Sequence, residues 1–323
     1  MEPERNNAAG LPEPMDPETN NAAGLPEPME PVAPERNNAP ETNNAAETGL
    51  PEAGCPGFVR LVSHMGDDAA VAAMARLSYA AGTRPLRQDA ILIRYLMRHR
   101  HTSPFEGVVF KFHVKCPITV ARQWLRHRTA SYNEQSLRYS EAPADPPYVP
   151  SVFARQSAAN RQGSGLPFSA DANRQLNAIA AAAHSGAVTA YRALLDRGVA
   201  RETARGVLPV ETWTEFSYVQ NLHNVFHFLA LRTDAHAQRE IRAYAHAVGR
   251  LVARVVPVCY AAYADYVLHA VTLTAAEVAA LRPLLAGATV PPIAATGREE
   301  VEWAEKFGRA FGARAEEDPA APA

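Results

Sequence analysis

A dense polar stretch lies in the middle of the chain, Arg122-Gln-Trp-Leu-Arg-His-Arg-Thr-Ala-Ser-Tyr-Asn-Glu-Gln-Ser-Leu-Arg-Tyr139. Within it, Arg126, His127 and Arg128 follow a helical segment, and guanidinium groups bind phosphate or carbonyl oxygens in bidentate fashion. Serine hydroxyls and freed backbone N–H groups can complete such a cradle, while Glu134 can accept from a ring N–H or orient an arginine. The stretch predicts an anion-binding loop.

The same composition also fits a solvated basic helix end, which is the more ordinary interpretation when composition alone is considered. Ser131, Asn133, Glu134 and Ser136 have side chains that compete for backbone hydrogen bonds, so we expect irregular structure here. The spacing of these residues, and not their types alone, has to decide between the two interpretations.

Standard nucleotide and metal motifs are missing. Gly163-Ser-Gly165 is followed by Leu-Pro-Phe, so the third glycine of a dinucleotide fingerprint is absent, and neither a P-loop nor an H-E-x-x-H motif occurs. His236 and His246 are not at metal-ligand spacing. We expect no metal site, and any nucleotide or flavin is expected to bind outside a Rossmann fold or P-loop.

The elements that must position these residues are mostly helical. Phe110–Lys115 alternates apolar and polar residues at a period of two, which is typical of a half-buried strand, and 212–219 is a second candidate strand. Helices are predicted over 67–79, 86–99, 118–126, 172–197, 200–206, 221–232, 235–256, 274–285 and 298–311. Strands beside runs of helices, without regular alternation, indicate an α+β fold with a small antiparallel sheet.

Two of these helices carry more detailed expectations. In the helix over 86–99, Ile91, Leu92, Tyr95 and Leu96 are expected to share the buried side. Thr274-Ala-Ala-Glu277 is a capping box that should open the helix over 274–285.

The first 54 residues differ from the rest. Asn-Asn-Ala-Ala-Gly-Leu-Pro-Glu-Pro-Met occurs at 6–15 and again at 20–29, and residues 1–54 hold eleven acidic residues against two arginines, a net charge of −9. Such a proline-rich repeat cannot bury enough apolar area to offset its chain entropy, so we expect a disordered acidic tail. It is either an expansion without a role or an interaction or solubilising tail.

The remaining residues carry 30 basic against 23 acidic side chains, or +7, which suits an anionic ligand such as a nucleotide but equally suits nucleic acid. Cys55, Cys116 and Cys259 form no C-x-x-C pair, so reduced thiols are expected. The most apolar region, 247–264, contains two arginines, which argues against a membrane span. The chain does not begin with a basic segment followed by an apolar segment, so a secretory signal is not expected. A cytoplasmic protein is expected, without a membrane span.

Spacing decides the interpretation of the polar stretch. Arg126-His-Arg-x-x-Ser131-x-Asn-Glu-x-Ser136-x-Arg138 resembles the signature R-H-R-x-x-S-x-N-E-x-S-x-R of the flavin-dependent thymidylate synthases at every specified position. The resemblance extends over roughly 58–270 through further matching segments. These are His101-Thr-Ser-Pro-Phe-Glu106, 121–125, Ala204-Arg-Gly-Val-Leu-Pro209 and Leu231-Arg-Thr-Asp-Ala-His-Ala-Gln238.

The resemblance implies a thymidylate synthase, a methyltransferase that converts dUMP to dTMP. The one-carbon unit would come from 5,10-methylenetetrahydrofolate, and the hydride from FAD that NADPH has reduced. It also implies a homotetramer with active sites shared between subunits. The domains would be a tail over 1–54, a catalytic domain with a non-Rossmann flavin-binding fold over 55–272, and a helical extension over 273–323.

The resemblance also implies residue roles. FAD would be bound by Ser103, Glu106, Arg126, His127, Arg128, Glu134, Asn221, His223 and His227. dUMP would be bound by Gln123, Arg126, Glu134, Ser136, Leu137, Arg138, Arg205 and Arg232. Arg232 would be catalytic, because a permanent positive charge beside the uracil ring stabilises negative charge developing on it. No cysteine falls in these segments, so carbon–carbon bond formation without a protein nucleophile is expected.

Two alternatives compete with this enzyme. A nucleic-acid-binding module would use the +7 body, but Glu134 inside the basic stretch would repel a phosphate backbone. A degenerate relative that binds flavin and nucleotide without turnover would be expected to lack signature residues, and all of them are present.

Overall fold

The computed structural model describes residues 48–49, 57–77, 86–158 and 161–285. By its contacts the chain divides into two units, Met1–Asn44 and Ala45–Ala323. The tail predicted over 1–54 lies outside the described residues except at 48–49, and so does the helix predicted over 298–311.

Five strands form one antiparallel sheet in the order β1-β2-β3-β7-β4. They are β1 (Thr48–Gly49), β2 (Phe58–Met65), β3 (Val109–Pro117), β4 (Ser131–Glu134) and β7 (Trp213–Asn221). A separate two-stranded sheet joins β5 (Ala154–Gln156) to β6 (Ser164–Pro167).

The helices in the described ranges are α1 (Asp68–Leu77), α2 (Leu86–Arg98), α3 (Ile118–Trp124), α4 (Ala170–Asp196), α5 (Arg201–Ala204), α6 (Leu222–Arg232), α7 (Arg239–Val255), α8 (Pro257–Tyr263) and α9 (Ala275–Leu285). Short 3-10 helices span Ser103–Gly107 and Arg205–Val207, and one π-helical turn spans Ala264–Leu268. This mixture of helices and a small antiparallel sheet is the α+β fold that the sequence predicts.

Strand β3 contributes buried side chains to one face of the sheet. Phe110, Phe112, Val114 and Cys116 are all 0% exposed, and their partners on β7 are buried as well. Helices α3, α6 and α7 supply the apolar side chains that cover this face. The strand predicted over 110–115 is therefore confirmed, because alternate residues of a strand point to the same face.

Strand β4 differs from its prediction. The sequence predicts irregular structure around Ser131–Glu134, whereas these four residues pair with 216–219 of β7. All four are exposed, so no apolar alternation marks them as a strand. The free edge of β7 supplies the hydrogen bonds, and this pairing overrides local propensity.

The buried side of α2 also differs from its prediction. Of the four predicted residues, Leu96 is buried and Leu92 packs against the core, whereas Ile91 and Tyr95 are 67% and 45% exposed. Asp89 and Ile93 are buried in their place. Asp89 forms an ion pair with Arg76 of α1. This pairing places the buried side at positions 89, 93 and 96, which are four and three residues apart.

Helix ends follow the expected chemistry in two places. The capping box at the start of α9 is confirmed, since the Thr274 N–H donates to Glu277 and the Glu277 N–H donates to the Thr274 hydroxyl. Asp68 caps a different helix, because its carboxylate accepts from the N–H groups of Val258 and Cys259 at the start of α8. An N-cap of this kind contributes about 1 kcal/mol.

Two helices end in the same turn but with different residues. After α2, Arg100 has a φ of 57°, and after α4, Gly198 has a φ of 76°. In each, the N–H of the left-handed residue bonds the carbonyl three residues earlier, at 3.1 Å for Arg100 and 2.8 Å for Gly198, and the next N–H bonds the carbonyl five residues earlier. Glycine is the usual residue here, and another residue costs roughly 1 kcal/mol.

None of the helices in the described ranges combines the length and apolarity that a membrane crossing requires.

Candidate active site

The signature stretch begins where α3 ends against the core. Trp124 is 0% exposed and stacks on Phe228 of α6, with ring centroids 4.7 Å apart. The His127 N–H bonds the Trp124 carbonyl at 3.0 Å, so the chain turns tightly as it leaves the helix. This turn buries His127 and leaves Arg126 and Arg128 on the surface.

Helix α6 supplies the opposite side of the site. Asn221 caps its start by accepting from the Asn224 N–H at 3.0 Å. His223 and His227 follow one turn apart, and Arg232 closes the helix. The rings of His127 and His227 lie 5.9 Å apart between centroids, so α6 and the turn after α3 meet at this point.

Arg232 is bound directly by the turn after α3. Its Nε donates to Nε2 of His127 at 3.0 Å, and one terminal nitrogen donates to the Gln123 carbonyl at 3.2 Å. Because Nε2 accepts, His127 is the neutral tautomer with its proton on Nδ1. Burial, together with the neighbouring charge of Arg232 and the proximity of His227, lowers the pKa of His127 to about 4.

Arg232 itself is half-buried. Burial, and then the positive charge of Arg126, lower the pKa of Arg232 from its ordinary value. The group stays charged, since arginine titrates far above neutrality. A cation that lacks its full water shell interacts strongly with a developing negative charge beside it.

The lowered pKa of His127 predicts a pH dependence of stability. His127 takes up a proton near pH 6.5 in the unfolded chain but only near pH 4 in the folded chain. The stability that neutral His127 contributes to the folded state is therefore lost as the pH falls from 6.5 to 4. We expect the Tm of His127→Gln, which can still accept from Arg232, to fall less between pH 7 and 4.5 than the Tm of the parent. If the Tm of the parent and that of His127→Gln fall equally between pH 7 and 4.5, the lowered pKa of His127 is contradicted.

Glu134 and Gln123 are connected to residues outside the signature. The Thr214 hydroxyl of β7 donates to Glu134 at 2.6 Å, and the Gln123 amide donates to the Gln238 side chain at 2.5 Å. Nothing in the sequence marks Thr214 as a site residue, and Gln238 is only the last residue of a matching segment. Their roles as partners depend on strand pairing and helix packing.

A second group forms around Arg138. The Ser136 hydroxyl accepts from the Arg138 N–H at 3.3 Å, and Arg138 lies 3.4 Å from Glu202 of α5 in an exposed ion pair. A cavity of about 320 Å³ lies here, lined by Arg138, Tyr139, Ala200, Arg201 and Glu202. Arg205, also exposed, begins the 3-10 helix that follows α5, and the half-buried Leu137 precedes Arg138.

The segment with Ser103 and Glu106 lies beside α6. Both residues are exposed on a 3-10 helix whose Pro104 and Phe105 are buried. Phe105 packs edge-on against Phe226 of α6 at 6.4 Å, which anchors the segment beside the helix that carries His223 and His227. Within the described ranges, no hydrogen bond or ion pair joins it to the Arg232 group.

The predicted residues therefore fall into separate groups. Gln123, His127 and Arg232 are joined by hydrogen bonds, whereas the Arg138 group and the Ser103 segment stand apart from them. A larger cavity of about 810 Å³ lies between α4 and residues 144–149 and contains none of the predicted site residues. In the described ranges no three His, Cys, Asp or Glu side chains cluster as metal ligands would.

The chain is similar to known proteins over most of its length. The family model described as thymidylate synthase complementing protein matches residues 60–258. Flavin-dependent thymidylate synthase from Thermus thermophilus is 53% identical over 230 residues, covering 71% of this chain and 83% of that protein. Flavin-dependent thymidylate synthase from Treponema denticola is 47% identical over 236 residues, covering 72% and 88%.

A solved structure of a related enzyme is also similar to this chain. The UMP/dUMP methylase PolB from Streptomyces cacaoi, bound with 5-Br dUMP, has a TM-score of 0.60 and 36% identity, covering 66% of this chain and 96% of that one. Its fold is shared across nearly its whole length. Because the family model matches residues 60–258 and the relatives are up to 53% identical, the chain belongs to the family of flavin-dependent thymidylate synthases.

Proposed function

We propose that this protein converts dUMP to dTMP, with 5,10-methylenetetrahydrofolate as one-carbon donor and FAD, reduced by NADPH, as hydride carrier. The observation that carries the proposal is the half-buried Arg232, held by His127 and Gln123 of the signature stretch. The named relatives support it, since they are flavin-dependent thymidylate synthases and a UMP/dUMP methylase.

The residues around the start of α6 fit a flavin dinucleotide. The exposed Arg126 and Arg128 can pair with phosphate oxygens, and the N–H groups and dipole of a helix start favour the same anions. We assign FAD binding to these two arginines together with Ser103, Glu106, His127, Glu134, Asn221, His223 and His227. The flavin would supply the hydride equivalent.

The Arg138 group fits the phosphate of dUMP. Arg138 and Arg201 line a cavity of about 320 Å³ with Glu202, and Arg205 follows close by in the chain. The exposed ion pair between Arg138 and Glu202 is weak, so an incoming phosphate can replace the carboxylate. We assign dUMP binding to Gln123, Arg126, Glu134, Ser136, Leu137, Arg138, Arg205 and Arg232.

Arg232 is the residue we assign to the chemical step. A guanidinium fixed at Nε and at one terminal nitrogen keeps its remaining N–H groups for the substrate. Placed against the uracil ring, it would stabilise the negative charge that develops as the ring attacks the one-carbon unit. The neutral His127 holds this cation without adding a competing charge.

A direct experiment tests the proposal. Purified protein should show oxidised flavin bands near 375 and 450 nm, approximate values for any protein-bound flavin. With dUMP, NADPH and 5,10-methylenetetrahydrofolate it should form dTMP, detected by chromatography. A protein without flavin bands and without dTMP formation would exclude the proposed reaction.

The thiols lead to a prediction about the mechanism. Cys116 and Cys259 are 0% exposed, and burial together with Asp68 raises the pKa of Cys259. A nucleophilic thiol needs access and a stabilised thiolate. Both thiols are buried, and the raised pKa of Cys259 disfavours its thiolate. A variant with Cys55, Cys116 and Cys259 all changed to serine or alanine should form dTMP within about tenfold of the parent rate. A folded, FAD-loaded but inactive variant would show that a cysteine takes part.

Assembly is a further prediction. Among the described residues, no hydrogen bond or ion pair joins the Arg232 group, the Arg138 group and the Ser103 segment, which supports active sites shared between subunits. We propose a homotetramer, to be checked by light scattering on the FAD-loaded protein. An active monomer of one chain mass would reject shared sites.

We propose three parts of the chain with different roles. We assign catalysis to 55–272, with an acidic tail over 1–54 and a helical extension over 273–323 that contains α9. Thr48 and Gly49 pair with β2, so a truncation that tests the tail should end before them. Cys259 is a free thiol, which supports a place in the reducing cytoplasm.

A further inference from the structure

The turn that ends α2 contains an arginine where its counterpart after α4 contains a glycine. Arg100 and Gly198 occupy equivalent positions, with φ values of 57° and 76° and the same pair of backbone hydrogen bonds. Among the described residues, Arg100 is the one non-glycine residue with a positive φ. The turn does not require arginine, so a reason for Arg100 must lie in its side chain.

The side chain of Arg100 extends from an exposed basic segment. Residues 98–101 read Arg-His-Arg-His, and all four are exposed. In the part of the chain that the structure describes, no carboxylate forms an ion pair with Arg98 or Arg100. Two guanidinium groups, two positions apart in sequence, therefore have no anionic partner among the described residues.

Stabilisation of the helix end does not account for Arg100. A cation near a helix C-terminus is favourable, but Arg98 already lies in the last turn of α2. Arg100 stands beyond that turn, in a conformation that glycine adopts more easily. Replacing it by glycine would keep the hydrogen bonds of the turn and remove the backbone strain.

The position of Arg100 relates it to the site. It lies three residues before Ser103 and six before Glu106, on the segment that Phe105 anchors beside α6. Resting on the proposed function, we propose that Arg100 binds an anionic group of a co-substrate at the flavin site. The two sources of such an anion are the phosphate that distinguishes NADPH from NADH and the carboxylates of the folate.

Equilibrium binding to the FAD-loaded protein tests this. For Arg100→Gly, we expect the Kd of either NADP⁺ or tetrahydrofolate to rise about tenfold, because a charge-assisted contact is lost. The Tm should rise by about 2–4 °C, because the backbone strain at this position is relieved. Calorimetric titration with NADP⁺, NAD⁺ and tetrahydrofolate distinguishes the sources. A rise for NADP⁺ but not NAD⁺ identifies the phosphate, and a rise for tetrahydrofolate alone identifies the carboxylates. Arg100→Lys should restore most of the affinity.

Gly198→Ala is the matched control. It places a side chain in the same backbone conformation with no atom within 4 Å of the new methyl group, so Tm should fall while all three Kd values stay unchanged. If Arg100→Gly raises Tm but changes neither the NADP⁺ nor the tetrahydrofolate Kd, the proposal is wrong. These titrations need no turnover, so failure to form dTMP rejects the proposed function separately.

Discussion

Arg232→Ala should lower the rate of dTMP formation about a hundredfold or more while FAD stays bound. The loss corresponds to roughly 3 kcal/mol of transition-state stabilisation, typical for the removal of one group that stabilises developing charge. Arg232 is suited to this role because His127 and Gln123 fix its orientation at 3.0 and 3.2 Å. Steady-state kinetics and the flavin spectrum of the purified variant measure both effects.

The control for this variant is Arg239→Ala, which removes an exposed arginine at the start of α7. Its rate should stay within about twofold of the parent, a difference worth only roughly 0.4 kcal/mol. If Arg232→Ala loses FAD, Arg232 belongs to the cofactor site instead. If its turnover is unchanged, the polarising role is wrong.

Trp124→Ala should destabilise the fold by about 3–5 kcal/mol, as expected for removal of a large buried aromatic side chain. The indole is 0% exposed and contacts Phe216 and Tyr218 of β7, Phe228 of α6 and Tyr244 of α7. Urea unfolding at a fixed protein concentration measures the change.

Two controls separate this effect from a general sensitivity to mutation. Trp124→Phe keeps an aromatic ring between β7 and α6, so its free energy of unfolding should fall clearly less than that of Trp124→Ala. Leu166→Ala removes a side chain that is 79% exposed and should stay within about 0.5 kcal/mol of the parent. A loss below about 1 kcal/mol for Trp124→Ala would show that the core does not depend on this contact.

Local patterns predicted the parts of the fold that depend on neighbours in sequence. The alternation at 110–115 identified β3, because a half-buried strand exposes every second residue. The capping box at Thr274 identified the start of α9, because its two hydrogen bonds span only three residues. The positions and spacing of the signature residues likewise needed only the sequence.

Long-range pairing decided where local patterns were wrong. Ser131–Glu134 forms a strand because it pairs with the edge of β7. The four residues are all exposed and show no apolar alternation that would predict a strand. On α2, the ion pair of Asp89 with Arg76 adds a charged residue to the buried side, which the apolar pattern of that helix does not reveal. In both places, a partner distant in sequence outweighs local propensity.

The sequence by itself determined the family, the α+β class and the residues that carry the signature, since these depend on residue identity and spacing. The tertiary structure alone decided that His127 accepts a hydrogen bond from Arg232, 105 residues away, and that the Gln123 carbonyl accepts another. It also decided that His127 is neutral, because its pKa depends on burial and on the charge placed beside it. Residue identity names the candidate groups, whereas the packing of α3 against α6 determines their charge and partners.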